Sequence, residues 1–138
     1  MENKIKHLEM IQAIITRMNS NSFMLKGWAV TLVAGVFALA SKEANEFYFL
    51  IAFIPVMTFW GLDAYYLLQE RLYRDLYNYV RKLNEKDIDF SMNAKRKDFL
   101  KKKENSFSNC LKSDTIRCFY FPLTIICLLV FIISLICN

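Results

Sequence analysis

Three apolar blocks constrain this chain more than any other feature. They cover residues 23–41, 47–68 ("FYFLIAFIPVMTFWGLDAYYLL") and 118–138, and the "CFYFPLTIICLLVFIISLIC" of the last carries no charge. Roughly 20 residues, at about 1.5 Å each along a helix, cover about 30 Å of hydrocarbon. Charged residues are confined mostly to the intervening stretches. In a chain of 138 residues that is 55% hydrophobic, a soluble core would have to bury more large side chains than so small a domain can enclose. The pattern predicts an all-α membrane protein with three transmembrane helices.

Only "KEANE", residues 42–46, separates the first two blocks, so they form a transmembrane hairpin over 23–68. Residues 1–22 carry three Lys/Arg, residues 69–117 carry thirteen, and 42–46 carry one. The positive-inside rule therefore puts the N-terminus and the long loop in the cytoplasm and the C-terminus at the outer face. "ALAS", residues 38–41, resembles a signal-peptidase site, but the long patterned region ahead of the first block argues that the block is retained.

In "MENKIKHLEMIQAIITRMNS", Leu8, Ile11, Ile15 and Met18 alternate spacings of three and four, broadened by Ile5 and Ile14. This predicts an amphipathic cytoplasmic helix over 1–22. It would lie on the membrane surface, on the cytoplasmic domain, or against a second copy. The cap-forming residues "NSNS" at 19–22 predict a break or kink before the first span. The second span has no stop signal at its inner end. Leu62, Tyr65, Leu72, Leu76, Val80 and Leu83 extend one helix to about Glu85, with Gln69 in the seam. After the turn-like "KDIDFSMN", Phe99, Leu100, Phe107, Cys110 and Leu111 are spaced for a returning helix. Residues 69–117 thus read as a basic cytoplasmic helical hairpin.

No nucleophile elbow, phosphate loop, zinc-protease motif or paired-carboxylate motif occurs, so the chain is not expected to be an enzyme. The four cysteines, Cys110, Cys118, Cys127 and Cys137, lack metal-ligand spacing, and there is a single histidine, His7. No metal, cofactor or disulfide is expected, although Cys137 would stand nearest an oxidising compartment.

Three features remain. Lys26 lies 15 residues inward from Ser41, and Asp63 lies 16 inward from Phe47. These separations correspond to about 23 and 24 Å of helix, which puts both charges at one level near the cytoplasmic boundary. They could snorkel separately, pair within or between subunits, or line an ion path. Gly27, Thr31 and Gly35, with Ala34 and Ala38 alongside, form a small-residue stripe suited to packing on the second span or on a neighbouring copy, or to lining a pore. "KRKDFLKKK", residues 95–103, sets six positive charges against one negative. Lys95, Arg96, Lys97, Lys101, Lys102 and Lys103 would anchor the chain to anionic lipid or bind a phosphate-bearing ligand, with Phe99 available for stacking.

Residues 7–31, "HLEMIQAIITRMNSNSFMLKGWAVT", resemble the opening of a group of small bacterial membrane effectors of anti-phage defence, the Hailong type, encoded beside a nucleotidyltransferase. The resemblance is carried by His7, Glu9, Ile11-Gln12, Ile15, Arg17-Met18, Asn21-Ser22-Phe23 and Lys26-Gly27-Trp28. It implies a homo-oligomeric ion channel of the bacterial inner membrane, a tetramer, held shut by a DNA or RNA oligomer or nucleotide from the partner enzyme. Opening would depolarise the infected cell. Two-span effectors of nucleotide-signalling defence are a neighbouring group, from which the three-span layout departs. A non-conducting membrane scaffold or regulatory subunit would account for the same helices and basic tract.

Overall fold

The computed structural model describes residues 2–43 and 47–137; the rest of the "KEANE" connection and the side chains of Lys42, Glu43, Tyr48 and Cys137 lie outside the described residues. Six α-helices and two single 3-10 turns make up the described chain, with no strand. The helices are α1 (Glu2–Glu43), α2 (Phe47–Ile51), α3 (Phe53–Lys82), α4 (Lys97–Leu100), α5 (Phe107–Leu111) and α6 (Asp114–Cys137). The 3-10 turns are Glu85–Asp87 and Lys103–Asn105. Three helices are long and apolar enough to cross a membrane: α1, the helix containing α3, and α6.

The sequence differs from its structure at three points, each with a local cause. First, α1 runs through 19–22 without the expected break. Asn and Ser each cost up to about 0.7 kcal/mol relative to Ala inside a helix. Ending a helix and nucleating another exposes two sets of unpaired backbone groups, which is the larger penalty. Second, the helix entering at Phe47 is interrupted at Ala52, whose N–H bonds Phe49 O at 3.3 Å. Pro55 stands three residues on; it has no N–H for the carbonyl of Ile51, and its ring crowds that carbonyl.

Third, the returning segment is not one helix but short turns joined by extended chain. Over 88–96 the backbone N–H groups of Ser91, Asn93 and Lys95 bond the side chains of Asp89, Ser91 and Asn93 in succession. Each is an i to i+2 turn that competes with helix. Farther on, the Phe99 carbonyl accepts from the Asn105 side chain at 2.8 Å, which occupies an acceptor a continuing helix would use. Lys97 and Lys101 would also repel at i, i+4.

The chain divides into two compact units, Met1–Ser22 with Tyr65–Cys110, and Phe23–Ala64 with Leu111–Asn138. In the first, Ile11 and Ile15 of α1 meet Leu72, Leu76 and Val80 of α3, and Ile88, Ala94 and Phe99 close the core from the return segment. Much of the α1 seam is thereby satisfied within the chain, with Leu8 packed at its edge and Ile5 left exposed. Lys4 Nζ donates to the carbonyls of Arg81 (3.1 Å) and Leu83 (2.6 Å), supplying acceptors at the end of α3 with a cation where the helix dipole favours one. Within the second unit, the buried positions are Ala29, Val33 and Ala40 of α1, Val56, Asp63 and Ala64 of α3, and Ile116, Tyr120 and Cys127 of α6, together with Ala52. Small side chains at these spacings let helices approach closely where apolar burial from water does not drive them together.

Leu72 is at the centre of the first unit's core. Leu72→Ala should lower the unfolding free energy by about 3 kcal/mol, measured by denaturant titration in detergent, whereas Leu100→Ala, at an exposed position, should change it little.

Candidate functional site: a buried ion pair and a basic face

Each unit carries one arrangement of chemical interest. In the second unit Lys26 occupies the α1 face that also presents Ala29 and Val33, three and seven residues on, so its side chain is drawn inward with them. Its Nζ lies 2.5 Å from Oδ2 of Asp63. The Asp63 side chain is fully buried and that of Lys26 is 18% exposed. The ammonium also stands 6.0 Å from the Phe119 ring centroid.

The third helix joins through aromatics. Trp60, three residues before Asp63, stacks on Tyr120 with centroids 5.9 Å apart and planes 8° from parallel. Its Nε1 donates to Leu111 O at 3.2 Å, fixing the entry to α6. Phe119 meets Tyr120 edge to face at 4.9 Å. Tyr120 is fully buried, and its hydroxyl stands beside the Asp63 carboxylate. One charged pair and one buried hydroxyl thus sit among three helices. Such groups are expensive in apolar surroundings and characteristically mark ion paths, relays or switching contacts.

The small-residue stripe does not belong to this junction. Gly27, Thr31 and Gly35 are exposed, as are Ala34 and Ala38. A Cβ added at either glycine would meet no atom within 4 Å. Thr31 spends its hydroxyl on the Gly27 carbonyl at 3.0 Å. Close helix contact within this chain uses the alanine face, and the glycine face stays open.

In the first unit, Lys95, Lys97, Lys101, Lys102 and Lys103 are exposed and Arg96 is half-buried. Arg96 lies over the Tyr79 ring, 4.3 Å from its centroid. Lys102 pairs with Asp75 at 2.6 Å. The other four lysines make no ion pair among the described residues, leaving four cationic heads in water. Phe99, expected to be available for stacking, is instead only 7% exposed and belongs to the core. The amphipathic spacing that suggested a surface aromatic was the spacing of a buried one.

Beside this tract runs a polar groove of about 260 Å³ lined by Arg71, Arg74, Asp75, Glu104, Asn105 and Asn109. Arg71 donates to Glu104 O and Asn109 Oδ1, and Arg74 pairs with Glu70. Asn105, almost fully buried, donates to Asp75 Oδ2 at 2.7 Å. The groove holds the loop in place with its charges largely matched. Burial pushes the Cys110 thiol above its usual range, and the Arg71 guanidinium pulls partly back. No group of three or more potential metal ligands occurs among the described residues.

Trp60 and Tyr120 escaped sequence reasoning. Trp60 shares a face with Asp63 and could have been linked to it, whereas Tyr120 is one aromatic in a uniformly apolar helix. No known protein family, curated protein or solved structure matches this chain.

Substitutions at the ion pair and the reactivity of Cys110 test this geometry. Lys26→Met removes the cation from a fully buried carboxylate and should cost about 3 kcal/mol. Asp63→Asn strands an ammonium that can still reach water and should cost less, and pairing Lys26→Met with Asp63→Leu should recover most of the loss. Unfolding in detergent micelles measures all three. For Cys110, the folded chain favours the neutral thiol. In a variant retaining only that cysteine, alkylation at pH 8 should be at least about tenfold slower than in denatured chain. Stability should fall as pH rises past the ordinary thiol range, because the unfolded thiol ionises first.

Proposed function

We propose that this chain is the subunit of a homo-oligomeric ion channel in the bacterial inner membrane, with its N-terminus cytoplasmic and its C-terminus at the outer face. In this reading it is an effector of anti-phage defence gated by an oligonucleotide or nucleotide from a partner nucleotidyltransferase. The observation that carries the reading is the pairing of Lys26 with a fully buried Asp63 in otherwise apolar helices. Three helices can pack through alanine and valine alone, so an ion pair there is a functional feature before it is a structural one. The resemblance of residues 7–31, which include Lys26, supplies the biological setting.

In the mechanism, a polyanion bridges Lys95, Arg96, Lys97, Lys101, Lys102 and Lys103 on neighbouring subunits. It binds one arrangement of the α3 helices better than the other and so shifts the pore equilibrium. The open glycine face of α1 provides the close contact between copies, or the pore lining. A non-conducting scaffold is the second reading, favoured by the packing of much of the α1 seam within the chain, which an anchored subunit needs as much as a channel does.

The test uses purified protein in planar bilayers with a single-stranded oligonucleotide added on the basic side. Conductance should respond to the oligonucleotide, and replacing the six residues by glutamine should abolish binding and response together. Each phosphate contact removed should flatten the log–log salt dependence of binding by about 0.7. Unchanged binding and gating in the glutamine variant would refute the mechanism, and silence under every condition would favour the scaffold.

A further inference from the structure

A cavity of about 390 Å³ lies in the first unit, lined by Asn3, Lys6, His7 and Met10 of α1 and by Phe90 of the return segment. Its volume falls within the range of about 300–1,000 Å³ occupied by small-molecule sites. Two features of its walls have no role in the core or in the basic face. His7 is only 4% exposed, yet its Nε2 has no hydrogen-bond partner among the described residues. Buried polar atoms are nearly always satisfied, so an unsatisfied one lining a cavity calls for an occupant. Phe90 is the one non-glycine residue with positive φ among the described residues, at 51°. A bulky aromatic there is strained, and such strain gathers at ligand clamps. The strain does not serve burial, because 44% of Phe90 remains exposed. Instead it stands the ring edge-on to His7, with centroids 5.5 Å apart and planes at 74°.

We infer that this cavity binds a small planar aromatic anion, with the ring between Phe90 and Met10 and the anionic group at Lys6. The flat Phe90 face and the polarizable Met10 thioether favour a ring over an alkyl chain. Among the described residues, Lys6 is the one charged side chain lining the cavity. It pairs with Glu2 at 2.6 Å, in a solvent-exposed contact that an incoming anion exchanges readily. His7 Nε2 and the Asn3 carboxamide then meet the polar edge of the ring. The site is independent of the proposed channel activity and of the basic tract. Its ligand could be an aromatic carboxylate or a mononucleotide, which share the ring and the anion.

His7 is the chain's only histidine, so its imidazole NMR signal reports the site without ambiguity. The full chain in detergent micelles is titrated separately with indole-3-acetate, adenosine monophosphate, octanoate and neutral indole. A saturable shift of the His7 signal with indole-3-acetate or with the nucleotide, at least tenfold tighter than with octanoate or indole, supports the inference. Whichever of the first two binds identifies the anionic group. Phe90→Gly removes the ring and relieves the strained φ without threatening the fold, and should abolish the saturable shift. Lys6→Gln should weaken anion binding at least tenfold while leaving indole unchanged. Absence of saturation with both aromatic anions overturns the inference. So does equal response to octanoate, or a Phe90→Gly variant that binds as wild type does.

Discussion

Taking a carboxylate out of water is tolerable only when a cation and supporting dipoles come with it. In the second unit Asp63 is fully buried and Lys26 supplies that cation, so α1 and α3 must hold one register for the pair to close. Ala29 and Val33 on one helix and Val56 and Ala64 on the other are small or compact, which permits the approach. Trp60 carries the constraint to α6 through its stacking on Tyr120 and its bond to Leu111 O. A slip of one residue in α3 would turn Asp63 about 100° away from its partner. The ion pair thus acts less as glue than as a register mark, one that neutral side chains would not provide.

The first unit solves a different problem. Its apolar core is ordinary, but the chain crossing it from α3 to α5 forms only short helical turns joined by extended chain. Side-chain hydrogen bonds take the place of a backbone ladder there: the Asp89, Ser91 and Asn93 series, the bonds of Asn105, and the cross-links of Arg71. The consequence is a surface on which four lysines stand free while the backbone beneath them is fixed. Such a surface suits a polyanion, because charge is concentrated without being neutralised in advance.

Much of the helical layout was legible in the sequence. The three helices long and apolar enough to cross a membrane follow from apolar length alone, and the pairing of Lys26 with Asp63 agrees with counting residues inward from the hairpin. The α3 seam through Leu72, Leu76 and Val80 was also visible, but its continuation to Leu62 and Tyr65 was not correct: both are exposed, and Asp63 and Ala64 face inward instead. Hydrophobicity misleads at that point because in so apolar a helix the small or charged residues, not the large apolar ones, take the inward face. The return segment failed for another reason. Its helical spacing was real, but Asp89, Ser91, Asn93 and Asn105 offer the backbone local partners that periodicity does not weigh.

The central claim is that the pair of Lys26 and Asp63 is functional as well as structural. The most direct measurement is planar-bilayer conductance of the charge-swapped chain, Lys26→Asp with Asp63→Lys, beside each single substitution. If the pair sets the pore state, the swapped chain conducts and gates as wild type does, while each single substitution displaces the open probability. Single substitutions that fold and gate as wild type does, or a wild-type oligomer silent in every condition, would contradict it.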